Sequence, residues 1–249
     1  MNHKIAIALL TVRPHNETIK FAESLQNAHG YEMFIFIDDN DYDIEYLHNS
    51  SIHMVKIRND LVESAGYKCS ILHLNRAGSR DKSLFYFSHV HTVIFDHIWF
   101  IEEDVFIPTT DTIMNIDNVY TESDLLAPNN NMNIDGDTSR WYWSHAKYCH
   151  FSIPWASSMI CAIRLSRSLL YEIDKYATLY KTLFLDEIMF NTIALHSNLR
   201  VDTPIELKGI VWRNDWKLEE ILITGLYHPI KNIETQSYFR TQLLHHMPA

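Results

Sequence analysis

Acidic side chains follow two apolar stretches of the sequence, and their types and spacing suit the binding of a cation or a polar ligand. Glu102, Glu103 and Asp104 follow the apolar run 98–101, and Asp38 and Asp39 follow the run 31–37. Close carboxylates repel each other by about 1 kcal/mol or more per pair unless a cation or a ligand compensates. The clusters therefore predict either a divalent metal site or, as the alternative, ordinary acidic surface loops.

The first cluster has the spacing of a ligand pair at the end of a strand. Glu102 and Asp104 are two residues apart, so their side chains leave the same side of the chain while Glu103 points away. Two carboxylate oxygens on one side suit a hard cation such as Mg²⁺ or Mn²⁺. The buried run that precedes the cluster favours the metal interpretation over the loop.

A second acidic pair opens a segment of helical periodicity. Asp186 and Glu187 precede apolar residues at 188, 189 and 195, so either carboxylate would project from a helix start toward a crevice. Such a group is placed to act as a general base. The alternative is structural, since acids in a first helical turn gain about 0.3–1 kcal/mol from the helix dipole.

Aromatic residues are dense between 141 and 155, and a second aromatic and polar group occupies 212–216. Flat rings can cover the apolar face of a sugar, and this interpretation selects Trp143, Trp155 and Trp212 as acceptor-binding residues. Aromatic side chains also dominate ordinary protein cores, so at least half of these rings are expected there.

Strand-like apolar runs alternate with segments of helical periodicity along the chain. The predicted strands cover 4–12, 31–37, 52–57, 97–101, 123–127, 157–163 and 199–203, and the predicted helices cover 15–29, 81–95, 165–180 and 184–196. This alternation indicates an α/β fold with a largely parallel sheet. Ligands of such sheets lie at the carboxyl ends of the strands, where both acidic clusters fall.

Composition excludes several classes of protein. The 249 residues are 47% hydrophobic and 21% charged, as expected for a folded domain, and the net charge of −10 argues against a nucleic-acid partner. No dinucleotide, P-loop, serine-hydrolase or zinc-protease motif is present. The three cysteines are widely spaced and suggest neither disulfides nor a zinc site. The apolar run 5–10 is too short for a signal or a membrane span, so a cytoplasmic protein is expected.

Taken in order, these motifs resemble those of the GT-A class of nucleotide-sugar glycosyltransferases. The resemblance rests on the opening strand at 5–10, Asp38-Asp39, the helix start Arg80-Asp81-Lys82, the DxD-like Glu102-Glu103-Asp104, Asp186-Glu187 and His228-Pro229-Ile230-Lys231. It implies a GT-A-like (Rossmann-like), mostly parallel central sheet flanked by helices. It also implies a single domain over 1–249, with residues 1–108 as the nucleotide-binding half and 109–249 as the acceptor-binding half.

The resemblance also implies roles for individual residues. The metal, Mn²⁺ or Mg²⁺, would be held by Glu102, Asp104 and His228. The nucleotide sugar would be bound by Thr11, Arg13, Asp38, Asp39, Arg80, Lys82, Glu103 and Lys231, with Lys231 neutralising the leaving diphosphate. Asp186 or Glu187 would be the base if the reaction inverts configuration.

The implied activity is transfer of a sugar from a UDP- or GDP-sugar to a hydroxyl of a carbohydrate or another acceptor, assisted by the metal. One alternative is a sugar nucleotidyltransferase of similar fold, which is disfavoured because no glycine-rich basic loop follows the first strand. Another is a carbohydrate- or nucleotide-binding module without catalysis.

Overall fold

A seven-stranded sheet forms the centre of the computed structural model, which describes residues 4–44, 51–69 and 76–246. Its strand order is β3-β2-β1-β4-β8-β5-β9. The strands of this sheet are β1 (Ile5–Thr11), β2 (Glu32–Ile37), β3 (His53–Val55), β4 (His97–Glu102), β5 (Leu125–Leu126), β8 (Ala162–Ser166) and β9 (Val201–Asp202). Two short two-stranded sheets pair β6 (Asn131–Asn133) with β7 (Trp155–Ser157) and β10 (Gly209–Ile210) with β11 (Tyr227–His228).

Four neighbouring strands of the sheet run parallel. β1 pairs in parallel with β2 and β4, and β2 with β3, so Thr11 lies beside Ile37 and Leu10 beside Glu102. β8 runs antiparallel to β4, and β5 runs antiparallel to β8. The carboxyl ends of β1, β2 and β4 therefore share one edge, and both acidic clusters leave the sheet there. The prediction of a mostly parallel α/β sheet is confirmed.

Helices cover both faces of the sheet. They are α1 (Asn16–His29), α2 (Asn59–Ser64), α3 (Ser79–Phe85), α4 (Thr110–Val119), α5 (Arg167–Tyr180), α6 (Asp186–His196) and α7 (Ile233–His246). Alternate residues of each central strand point to opposite faces. Phe34 and Phe100 join one apolar cluster with residues of α3, α5 and α6, whereas Ile35 and Trp99 join another with residues of α1 and α4. Burial on both faces explains why these strands read as continuous apolar runs.

The two predicted halves share this one sheet, because β1–β4 come from residues 1–108 and β5, β8 and β9 from 109–249. The assignment of nucleotide to the first half and acceptor to the second stays a prediction. In the part of the chain that the structure describes, no helix combines the length and the apolar character that crossing a membrane requires.

Some predicted elements have other bounds. The helix predicted over 81–95 starts earlier and ends earlier, because α3 passes into a π-helical turn (Tyr86–Val90) and His91 then takes an extended conformation. The strand predicted over 157–163 is two strands, β7 and β8. The helix predicted from 165 begins at Arg167, since Ser166 caps it by accepting a hydrogen bond from the Leu169 amide.

A buried ion pair ties the sheet to α4. Arg164 of β8 places Nη1 2.6 Å from Oδ1 of Asp117, and both side chains are almost fully buried. The Asp117 carboxylate also accepts hydrogen bonds from the Tyr31 hydroxyl at 2.8 Å and from Trp99 Nε1 at 3.0 Å. Burial raises the pKa of Asp117, and Arg164 opposes that rise. The network joins β4, β8, α4 and the residue before β2.

Removal of the Arg164 cation should cost substantial stability. Arg164→Leu leaves the Asp117 carboxylate buried without its ion-pair partner, so we expect the free energy of unfolding to fall by about 3–5 kcal/mol in urea denaturation. Arg167→Leu, which changes an exposed arginine three residues away, should alter it by about 0.5 kcal/mol or less. Equal, small losses in the two variants would contradict a stabilising role of the pair.

Candidate active site

A cavity of about 420 Å³ opens at the carboxyl edge of the sheet. Its walls come from the end of β4, the start of α3, the segment before β8, the start of α6 and the end of β11. The side chains in it that bear on chemistry are Arg80, Glu102, Cys161, Asp186, Glu187 and His228. The structure thus brings together four residues predicted as catalytic or metal-binding from distant parts of the sequence: Glu102, Asp186, Glu187 and His228.

The Arg80 guanidinium is the central cation of this cavity. Its Nη2 donates to Oε1 of Glu102 at 2.7 Å, and its Nη1 donates to Oδ2 of Asp186 at 3.1 Å. Nη2 also donates to the carbonyl of Ile160 at 3.0 Å. The Arg80 side chain is only 10% exposed. A residue predicted to touch the nucleotide sugar therefore holds two acidic side chains of the site in place.

The two acidic residues at the start of α6 differ in their surroundings. Burial raises the pKa of the Asp186 carboxyl, and the Arg80 guanidinium opposes that rise. Burial first, and the neighbouring Asp186 second, raise the pKa of Glu187 to about 7. The carboxylates that the Arg80 guanidinium contacts are those of Glu102 and Asp186, not that of Glu187. A carboxyl with a pKa near neutrality is suited to proton transfer at physiological pH.

His228 is oriented by the backbone. Its Nδ1 lies 2.6 Å from the carbonyl oxygen of Val211, which can only accept, so Nδ1 carries the proton. Its Nε2 lies 3.4 Å from Oδ1 of Asp104. Burial alone would lower the pKa of His228, but the contacts with Asp104 and Val211 outweigh it and raise the pKa. A histidine whose Nδ1–H donates to a carbonyl presents Nε2 for a proton or for a metal ion.

Three side chains form a candidate cation site. One ligand atom each from Glu102, Cys161 and His228 lies within 4.8 Å of the other two, the one such group among residues 4–44, 51–69 and 76–246. Asp104, predicted to share the ion with Glu102, is outside this group although it contacts His228. The carboxylate oxygen of Glu102 and the ring nitrogen of His228 are suitable ligands for a divalent cation. The hydrogen bond from Nδ1 of His228 to Val211 already leaves Nε2 as the ligand atom. Cys161, assigned to no site from the sequence, supplies a sulfur atom instead.

Glu103 is turned away from the cavity, as the alternation along β4 predicts. Its carboxylate accepts hydrogen bonds from the hydroxyls of Thr11 at 2.5 Å and Thr18 at 3.1 Å. Its carbonyl accepts one from Gln236 Nε2 at 3.0 Å. Glu103 and Thr11 therefore link β1, α1 and α7. Thr11 and Glu103 were predicted to bind the nucleotide sugar. In the structure their side chains are hydrogen-bonded to each other, and a contact with a nucleotide sugar stays a prediction.

Lys82 occupies a structural position rather than an open one. Its side chain is 1% exposed, and its ammonium contacts the Asp38 carbonyl at 2.7 Å, Oδ1 of Asp38 at 3.1 Å and Oδ1 of Asn40 at 3.1 Å. The contacts with the Asp38 carbonyl and with Asn40 are hydrogen bonds, and the contact with Oδ1 of Asp38 is an ion pair. The predicted contact of Lys82 with a nucleotide sugar stays a prediction. Asp38 lines the cavity but is neutralised by this lysine.

Arg13 and Asp39 pair with each other at the carboxyl ends of β1 and β2. Nε of Arg13 donates to Oδ2 of Asp39 at 2.6 Å. The backbone amide of Asp41, and then Arg13, hold the pKa of the Asp39 carboxyl below its usual range. The Arg13 side chain is 65% exposed and that of Asp39 is 17% exposed, and their contact with a nucleotide stays a prediction.

Lys231 lines a second cavity, of about 340 Å³, with Asp104 and Glu103. Ser79 and Glu102 line both cavities, so the two spaces meet at Glu102. Lys231 is exposed, and its contact with the leaving diphosphate stays a prediction.

The tryptophans separate into buried and exposed ones. Trp143 is 5% exposed, and its ring stacks on that of Trp155 at 6.5 Å between centroids. Trp155 also donates from Nε1 to the Phe151 carbonyl at 3.0 Å. Neither of these two tryptophans lines the 420 Å³ cavity, and their role in acceptor binding stays a prediction. Trp212, also predicted, lines the cavity and is 62% exposed, and Trp141 lines it as well.

Comparison with known proteins finds similarity in shape only. No protein-family model matches the chain, and no curated protein matches it. Solved structures that match include a galactosyltransferase, LgtC, in complex with donor and acceptor sugar analogues, at 10% identity over 96% of this chain and 95% of that one, with a TM-score of 0.48. Another is 4-diphosphocytidyl-2C-methyl-D-erythritol synthase from Anaerococcus prevotii, at 9% identity over 97% and 99%, with a TM-score of 0.47.

A third match is glucosyl-3-phosphoglycerate synthase from Mycobacterium tuberculosis with Mn²⁺, UDP-glucose and phosphoglyceric acid, at 12% identity over 97% of this chain and 77% of that one, with a TM-score of 0.40. Two further matches span only 54% and 57% of the neighbours' lengths. Glycosyltransferases are thus among the neighbours in shape. Because these TM-scores are below 0.5, the description of the fold depends on the observed strand order. The neighbours carry no argument about activity.

The raised pKa of Glu187 predicts a pH dependence of stability. The native state keeps a proton on Glu187 that the unfolded chain has released, so the free energy of unfolding should fall as the pH rises from about 4.5 to about 7. A shift of this size corresponds to about 3 kcal/mol.

Urea denaturation between pH 4.5 and 8 measures this contribution. Glu187→Gln should remove it, so that the wild-type chain loses about 3 kcal/mol more than the variant over this range. Glu219→Gln, which changes an exposed side chain, should follow the wild-type curve. A Glu187→Gln curve parallel to the wild type would contradict the raised pKa.

Proposed function

We propose that the chain is a glycosyltransferase that moves a sugar from a nucleoside diphosphate sugar to a hydroxyl group of a carbohydrate or another acceptor. The proposal rests on one observation. A single cavity at the carboxyl edge of the sheet contains a cation-binding group and, at the start of α6, a carboxyl suited to proton transfer. Sugar transfer needs both groups: the cation stabilises the charge on the departing diphosphate, and the carboxylate takes the proton of the attacking hydroxyl.

The donor would bind where the two cavities meet. Glu102, Asp104 and His228 would hold a divalent cation, Mn²⁺ or Mg²⁺, which when bound neutralises negative charge on the leaving diphosphate. Lys231 lines the adjoining cavity and would pair with the same diphosphate. Arg13 and Asp39 at the ends of β1 and β2 would face the nucleoside. UDP- or GDP-sugars as donors, and a cytoplasmic location, stay predictions.

Glu187 would take the proton of the acceptor hydroxyl in an inverting reaction. It lines the cavity, and a pKa of about 7 leaves a large fraction ionised at neutral pH. Asp186 is the weaker candidate, because Oδ2 of its carboxylate is in an ion pair with Arg80. Arg80 instead positions Asp186 and Glu102, and so sets the distance between the base and the donor.

The acceptor would lie against the exposed tryptophans of the cavity wall. Trp212 and Trp141 are 62% and 56% exposed and come from different loops. A ring that is open on one face can cover the apolar face of a sugar at little cost in side-chain freedom. Trp212 was predicted for this role. We add Trp141, because it lines the cavity whereas Trp143 and Trp155 do not.

Metal-dependent nucleotide binding should require Asp104. In a thermal-shift experiment, UDP or GDP should raise the melting temperature only with Mn²⁺, since a ligand at about a hundredfold excess over its Kd adds about 2.7 kcal/mol of stability. Asp104→Asn should abolish the shift and still melt cooperatively. Asp60→Asn, at an exposed aspartate of α2, should keep it. An unchanged shift in Asp104→Asn would remove Asp104 from the site.

Catalysis should require Glu187. A panel of nucleotide sugars with Mn²⁺, scored for slow donor hydrolysis, identifies the donor, and sugar acceptors then allow transfer to be measured. Glu187→Gln should lower kcat for transfer by about 10²–10⁴-fold, because it removes the proton acceptor, with the Kd of the donor retained. Wild-type kcat in this variant would exclude Glu187 as the base. Absence of hydrolysis and of nucleotide binding with every donor would contradict the proposed function.

A further inference from the structure

Cys161 gives the candidate cation site a donor that Mn²⁺ and Mg²⁺ do not favour. Carboxylate and water oxygens suit those hard cations, whereas thiolate sulfur selects zinc and other softer metals. Cys161 is 7% exposed and lies immediately before β8. Its thiol is grouped with one oxygen of Glu102 and one ring nitrogen of His228. The donor set is therefore one sulfur, one nitrogen and one oxygen.

The spacing of these atoms allows a tetrahedral zinc site after small side-chain movements. Zinc binds sulfur at about 2.3 Å and nitrogen or carboxylate oxygen at about 2.0–2.2 Å, so its ligand atoms lie about 3.3–3.6 Å apart. The three atoms here are within 4.8 Å of one another. Side-chain movements of about 1 Å or less would bring all three to bonding distance of one ion.

The backbone and the neighbouring side chains fix the ligands in place. The Glu102 amide donates to the Cys161 carbonyl at 2.8 Å, so the β4–β8 pairing sets these two residues side by side. Arg80 holds Oε1 of Glu102, and the Cys161 thiol is itself hydrogen-bonded to the Glu102 carboxylate. The Val211 carbonyl holds the His228 tautomer that presents Nε2. A carbonyl behind a ligating histidine is the usual support of zinc sites.

We propose that the chain binds one zinc ion through Glu102, Cys161 and His228, with the fourth position open to the 420 Å³ cavity. On binding, the Cys161 thiol releases its proton to the solvent and ligates as the thiolate, and a protonated His228 releases its Nε2 proton to the solvent and ligates as the neutral ring. Zinc and the Mn²⁺ of the proposed function would share Glu102 and His228, so they exclude each other. Binding of zinc does not depend on the transfer reaction, and it is tested without nucleotide.

Cobalt(II) is the spectroscopic probe of this site. Titration of the purified chain with Co²⁺ should produce the near-ultraviolet charge-transfer band of a cobalt–thiolate bond at one equivalent, and one equivalent of Zn²⁺ should abolish it. Cys161→Ser should lose the band and bind Zn²⁺ at least about 100-fold more weakly, since changes at supporting residues alone cost about 10–100-fold.

Matched variants separate this site from the other thiols and histidines. Cys149→Ser, at a free and partly buried cysteine outside the group, should keep both the band and the zinc affinity. Glu102→Gln should keep the band and weaken zinc binding, which provides a second test if Cys161→Ser fails to fold by circular dichroism. A wild-type chain without the band, or a Cys161→Ser chain with wild-type zinc affinity, would overturn the proposal. Failure of every donor in the transfer assays would leave this result unaffected.

Discussion

The interaction on which the candidate site depends is the ion triad of Arg80 with Glu102 and Asp186. It joins the start of α3, the end of β4 and the start of α6, and a further hydrogen bond to the Ile160 carbonyl adds the segment before β8. Two partly buried carboxylates on the same guanidinium lose their mutual repulsion and gain a fixed geometry. This buried cation fixes the shape of the cavity because it connects elements that are far apart in the sequence.

Basic side chains of the protein neutralise some of the acidic groups at this edge of the sheet, so fewer groups are left to bind a metal ion. The acidic clusters suggested a divalent ion as the missing positive charge, but Arg80 neutralises Glu102 and Asp186, and Lys82 neutralises Asp38. The groups that remain to bind an ion are Asp104, His228 and the pair of Glu102 and Cys161, whose side chains are hydrogen-bonded to each other. An ion would therefore sit at the junction of the two cavities, between a rigid acidic edge of the sheet and the exposed lysine that follows β11.

Sequence reasoning predicted the parts of the site that depend on local periodicity. The period of two along β4 is enough to send Glu103 toward α1, and an acidic pair before an apolar helical pattern is enough to place Glu187 at the start of α6. The contacts of Arg80 and Cys161 with Glu102 depend on the crossing of distant elements, and no local pattern encodes them. The burial of Trp143 could not be predicted, because an aromatic ring has the same sequence signal in a core as on a binding surface.

The most direct test of the account is a crystal structure of the chain with UDP or GDP and Mn²⁺, with the ion located by anomalous scattering. The account predicts a manganese peak within bonding distance of Glu102 and His228, with the diphosphate bridging toward Lys231. A nucleotide bound at another surface, or an ion that contacts neither of these side chains, would contradict it.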